Sequence, residues 1–151
     1  MTPSSIPTNT TLKIVVDTNQ YLSVFVFRGL LMKLVFELVI DNKIDLYVSP
    51  SLKDEVLQKL HYFRVNKQVI NEIMSFIQMR GILVEPTVKV KECRDSEDNF
   101  LLELAETVKA DNLITRDKDL LDLPNNAWKV TKIITPEVFL PLLRTKKLLD
   151  I

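Results

Sequence analysis

Apolar positions along the chain repeat with two different periods, and the alternation between those periods lays out the fold. Leu12-Lys13-Ile14-Val15-Val16 is a nearly unbroken apolar run that ends in Asp17-Thr18-Asn19. A strand without polar alternation is one covered on both faces, as in a parallel sheet. From Asn19 the period lengthens. Tyr21, Leu22, Val24, Phe25 and Phe27 precede a break at Arg28-Gly29, and Leu30, Leu31, Leu34, Val35, Leu38 and Val39 continue at helical spacing. Asp41-Asn42-Lys43 turns the chain into a second short strand, Ile44 to Val48. Ser49-Pro50 opens the next helix, because Ser accepts from orphan amides and Pro suits the first helical position. Leu52, Val56, Leu57 and Leu60 form its apolar side. Asn66 caps a further helix, with Val69, Ile70, Ile73, Phe76 and Ile77 inward and Gly81 at its end.

The second half continues the alternation. Ile82 to Val84 is a third strand, stopped by Pro86. Asp95-Ser96-Glu97-Asp98 opens a helix with a stripe of Phe100, Leu101, Leu104, Ala105 and Val108. Asn112 to Thr115 reads as a strand, followed by Arg116-Asp117-Lys118-Asp119 and a short apolar turn, Leu120-Leu121. Trp128 to Ile134 reads as a last strand, and Thr135-Pro136-Glu137 starts a final helix. Strands alternating with helices at this spacing predict an α/β fold, a parallel sheet with helices on both faces. The expected organisation is an N-terminal tail over 1–11, one domain over 12–143 and a partly basic C-terminal tail over 144–151.

Composition narrows the picture. A chain of 151 residues suits a single domain with a sizeable core. Lys plus Arg equal Asp plus Glu at 20 each, so bulk charge does not hold this protein to nucleic acid, although a local basic groove is compatible with the balance. Cys93 stands alone, which rules out a disulfide framework and a thiolate metal cage. The apolar region from Tyr21 to Ile40 is broken by Arg28, Lys33 and Glu37, wrong for a membrane span, and no apolar signal-peptide core precedes residue 14. The expectation is a soluble cytoplasmic protein.

The chemistry lies in carboxylates at the strand-to-helix crossings: Asp17, Glu55, Asp98, Asp117 and Asp119. Taken singly each has an ordinary reading. Asp17 caps a helix, Glu55 is a solvated helix residue, Asp98 sits at a helix N-terminus favoured by the macrodipole, and Asp117 and Asp119 are loop acids. No cluster of His, Cys or Ser competes with them. His61 reads as surface, Cys93 as a small core residue, and Trp128 and the phenylalanines as core. Carboxylates brought together repel one another unless a positive charge compensates. A hard divalent cation, Mg²⁺ or Mn²⁺, does so with oxygen ligands, activates water and stabilises a leaving oxygen, the work of cutting a phosphodiester.

In this order the motifs resemble those of PIN-domain proteins, in particular the PIN-family ribonuclease toxins of prokaryotic toxin–antitoxin systems. The matches are Val15-Val16-Asp17-Thr18-Asn19 with Ser23; Ser49-Pro50 with Glu55; Cys93 to Leu101; Asp111 to Leu121; and Ile134 to Leu140. The resemblance implies a three-layer α/β/α PIN-like fold with a central parallel sheet and a metal-dependent ribonuclease activity. It places Asp17, Glu55, Asp98 and Asp117 on the family's acidic tetrad, holding one or two Mg²⁺ or Mn²⁺ ions, with Asp119 as a possible further ligand. Asp98 is chosen over Asp95 because it precedes the apolar helical run at the family's spacing, which leaves Asp95 as the helix cap. Asn19 and Thr115 match small polar positions that support the acids or the waters around the metal. Arg94, Arg116 and Lys118 adjoin the acids and are the candidates for gripping RNA phosphates. A toxin role further implies an RNA substrate, a small protein antitoxin and a homodimer.

The sequence departs from the family at Gln20 and Tyr21, where small aliphatic residues are usual, and at Arg28-Gly29, a shorter turn than the usual Gly-rich one. Two other classes compete. One is a PIN-fold module that binds RNA or protein without cutting. The other is an Asp-nucleophile phosphatase, which needs a second Asp two residues after the first, where this chain has Asn19.

Overall fold

In the computed structural model, which describes residues 11–26, 29–93 and 96–148, the first apolar run forms a central strand. This strand, β1 (Leu12–Val16), is followed by α1 (Thr18–Phe25), α2 (Leu30–Ile40), β2 (Ile44–Val48), α3 (Pro50–Tyr62), α4 (Lys67–Arg80) and β3 (Gly81–Leu83). The remaining elements are α5 (Ser96–Val108), β4 (Asn112–Ile114), α6 (Lys118–Leu121), β5 (Ala127–Trp128), β6 (Thr131–Ile134) and α7 (Pro136–Thr145). The sheet runs β3-β2-β1-β4-β6-β5. Every pairing is parallel except that of the edge strand β5 with β6. β1 lies in register with both neighbours, Ile14 opposite Leu46 on β2 and Asn112 on β4. Successive residues Ile14, Val15 and Val16 are each 0% exposed, so helices cover both faces of the sheet there, as the unbroken apolar run predicts. The α/β architecture with a central, mostly parallel sheet agrees with the sequence reading.

Local chemistry sets the helix starts. The Ser49 hydroxyl accepts from the Leu52 amide at 3.2 Å, with Pro50 at the first helical position. Asn66 Oδ1 accepts from the Val69 amide at 2.9 Å. Gly81 does end α4, but its φ of −79° is not left-handed. Its glycine character answers to space instead: a Cβ there would lie 2.6 Å from the Ile77 carbonyl oxygen and 3.0 Å from Val48 Cγ2. Between α1, α2 and α4, Phe36 stacks against Tyr21 at 5.3 Å and against Phe76 at 4.8 Å, which anchors α1 behind the end of β1.

One element differs from expectation. Trp128 to Ile134 is not a single strand; Ala127–Trp128 folds back antiparallel on Thr131–Ile134, with Trp128 opposite Thr131. Lys129 takes φ 55° in the connecting turn, a conformation usually signalled by Asn or Gly, so no turn residue marked the reversal. The expected N-terminal tail and the proposed cap Asp95 fall on residues outside the described ones, apart from Thr11. Among the described residues no helix is long and apolar enough to cross a membrane.

Candidate metal centre

β1 and β4 are neighbours whose chains leave in opposite directions, β1 toward β2 and β4 toward β6. Such a switch point opens a crevice at the carboxyl ends of the strands. Asp17 follows β1 and Thr115, Arg116 and Asp117 follow β4, so sheet topology alone brings them together.

Asp17 is only 7% exposed, and its amide donates to the Ile114 carbonyl at 3.0 Å, which extends the strand pairing to the site. It occupies the N-cap position of α1, yet its carboxylate makes no capping hydrogen bond. The Thr115 hydroxyl donates to Asp17 Oδ2 at 2.6 Å instead, and the Thr18 hydroxyl donates to Oδ1 at 3.2 Å. The same Thr115 oxygen accepts from the Asp117 amide at 3.0 Å. One buried hydroxyl thus ties the acid after β1 to the acid after β4. Asp117 does act as a cap, because its Oδ1 accepts from the Asp119 amide at 2.9 Å.

Asp98, buried in the first turn of α5, completes the centre. One carboxylate oxygen from each of Asp98, Asp117 and Asp119 lies within 4.8 Å of the others. Asp17 is not in that tight group and joins it through Thr115. Glu55, half-buried on α3, borders a narrow cleft with Asp17, Leu52, Phe100 and Leu101 on the other side of Asp17. The structure therefore brings Asp98, Asp117 and Asp119 together, attaches Asp17, and sets Glu55 next to Asp17. Asp119, given only a possible part from sequence, belongs to the closest cluster. Three carboxylates at this separation are a hard, all-oxygen donor set, and a divalent cation of the Mg²⁺ or Mn²⁺ kind fits it.

The surrounding polar groups divide into those the sequence reading included and those it missed. Asn19 is exposed, and its Oδ1 accepts from Lys59 Nζ at 3.0 Å. Lys59 also donates to the Thr18 hydroxyl at 3.0 Å, so α3 is clamped to the start of α1 beside Asp17. Lys59 was missed; the signal available was its spacing of one turn from Glu55 on the same helix face. Arg116 is exposed and pairs with Glu137 Oε2 of α7 at 2.6 Å. Partial burial pushes the Glu137 carboxyl up, but a backbone hydrogen bond and the Arg116 guanidinium outweigh this and hold it below the usual carboxylate range. Both side chains are about half exposed, so the pair adds little stability. Lys118 is exposed at the start of α6, and Arg94 lies outside the described residues. Burial pushes the Cys93 thiol up, and the charges of Asp98, Asp119, Asp117 and Glu92 push it further.

Thr115 carries a direct prediction. In Thr115→Val, Asp17 loses its shortest hydrogen bond and the Asp117 amide loses its acceptor. Groups that orient metal ligands typically matter by about 10- to 100-fold in affinity. Calorimetric Mn²⁺ titration of the variant should show a loss in that range, while Thr115→Ser, which keeps the hydroxyl, should stay close to the wild type.

Two comparisons bear on this site. Residues 13–119 match a family model described as "PIN domain", a span that contains all five acids and Thr115. An uncharacterized protein of Methanocaldococcus jannaschii is 29% identical over 140 residues, which cover 85% of this chain and 90% of that protein.

Proposed function

The chain belongs to the PIN-domain family of nuclease-type proteins, and from that premise we propose that it is a Mg²⁺- or Mn²⁺-dependent endoribonuclease that hydrolyses RNA phosphodiester bonds. The observation that carries the proposal is the convergence of Asp98, Asp117 and Asp119 at the switch point, with Asp17 held to Asp117 through Thr115. Asp17, Glu55, Asp98 and Asp117 are the proposed metal-holding acids, and Asp119 supplies a further oxygen. A bound divalent cation would supply Lewis acidity, lowering the pKa of water and neutralising charge on the phosphate. The protein's own part is orientation: Thr115 and Thr18 fix both Asp17 oxygens, and Lys59 holds α1 against α3. The proposed phosphate contacts are the exposed Arg116 and Lys118, which adjoin the acids in sequence and would position RNA without reading its sequence.

The test is direct. Purified protein incubated with RNA and Mg²⁺ or Mn²⁺ should cut it, stop on addition of chelator, and resume when metal is restored. Intact RNA under both metals would contradict the proposal. RNA retained without metal binding would identify a binding module instead.

The role proposed for this activity is that of a cytoplasmic toxin restrained by a small protein antitoxin, in a homodimer, and the likeness to PIN-family toxins supports it. An apolar groove of about 540 Å³ lined by Val24, Phe25, Leu30, Phe36, Ile40 and Phe76 is available to a protein partner.

A further inference from the structure

Gln20 is a buried polar residue beside the site that neither the fold nor the metal chemistry uses. It stands in the first turn of α1 and is only 3% exposed, and its Oε1 has no hydrogen-bond partner. A buried amide carbonyl left without a donor costs stability, so such a group calls for an account. Packing does not supply one. An aliphatic side chain of similar length would fill the same space without the penalty.

The surroundings supply the account. Gln20 forms part of the wall of a recess of about 380 Å³ whose other lining residues are Asp17, Asn19, Ser23, Arg116 and Asp117. Two of these are acids of the metal centre, and one, Arg116, is an exposed guanidinium. A phosphate held between the metal and Arg116 would have its attached nucleoside at this recess. The recess is lined by polar residues, and Gln20 in its wall holds a buried carbonyl acceptor not committed to any protein group. With three rotatable bonds, the side chain can turn that acceptor outward when a donor arrives.

We propose that this recess receives the nucleoside next to the scissile phosphate, and that Gln20 selects it by accepting a hydrogen bond from an N–H of the base or from the ribose 2′-hydroxyl. The inference rests on the ribonuclease reading and adds to it a residue that sets specificity. Stability is given up at Gln20 for recognition, a trade found where a site needs an uncommitted polar group.

The experiment measures binding rather than cleavage, so that it does not depend on turnover. Short RNAs differing at a single nucleotide, each with a matched single 2′-deoxy version, are titrated in Ca²⁺ against the wild type, Gln20→Met and Gln20→Leu. The wild type should discriminate among them by about tenfold, the effect of one buried hydrogen bond. Both variants should flatten that preference to within about twofold, and both should melt at the same temperature as the wild type or higher, because no native bond is lost. Loss of preference among the bases identifies the base edge as the donor, and loss of the 2′-deoxy effect identifies the hydroxyl. Unchanged preference in both variants overturns the proposal, as does a clear fall in melting temperature, which would make Gln20 a structural residue. If RNA binds but Gln20 does not alter selection, only this inference fails. If the wild type binds no RNA, the ribonuclease reading fails with it.

Discussion

Asp17→Asn should lower RNA cleavage by about 10²- to 10⁴-fold, since a metal-stabilised transition state is worth several kcal/mol and each 1.4 kcal/mol is tenfold. The fold should survive. Asn at position 17 keeps a carbonyl oxygen for the Thr115 hydroxyl, and the backbone bond from residue 17 to the Ile114 carbonyl is untouched. What the variant loses is the negative charge. The ordinary alternative, that Asp17 is a helix cap, predicts a different outcome, because Asn is as good a cap as Asp and activity would persist. The structure already weighs against capping, since the Asp17 carboxylate makes no cap bond to α1. Rates in saturating Mn²⁺ for the wild type and Asp17→Asn, with circular dichroism of both, separate the two readings.

The second large effect is on stability. Asp98, Asp117 and Asp119 repel one another when the protein carries no metal, and a cation that binds only the folded state stabilises it by mass action. At one hundred times the dissociation constant the gain is about 2.7 kcal/mol. For a domain of this size that raises the melting temperature by roughly 5–10 °C. Asp98→Asn should abolish most of the rise. The wild type should keep the rise, so the loss in the variant reports the ligand and not the fold. Thermal melts with and without Mn²⁺ measure it.

How much of this was legible in the sequence follows from what each feature depends on. β1 was legible because its burial on both faces erases polar alternation, and the starts at Ser49 and Asn66 because capping is local chemistry. The order of the acids was legible because topology returns every strand to the same edge. What escaped were contacts between distant positions. Thr115 reaches Asp17 across 98 residues, and Lys59 reaches Thr18 across 41. Thr115 could be named as a supporting position but not as the hydroxyl shared by two acids. The place of Asp119 in the tight cluster depends on the bend after β4, which no pattern of hydrophobicity encodes. The hairpin at Trp128 was missed because Lys129 adopts a left-handed conformation without the residue type that usually marks one. Gln20 stood out only as a departure; its unpartnered oxygen is a property of the packed structure.

The central claim is that these carboxylates form one metal centre, and a crystal soaked in Mn²⁺ tests it most directly. Anomalous density should lie between Asp98 and Asp117, with Asp17 and Asp119 around it, and vanish in crystals of Asp98→Asn. Strong density elsewhere with none at this crevice, from protein that still cuts RNA, would contradict the account.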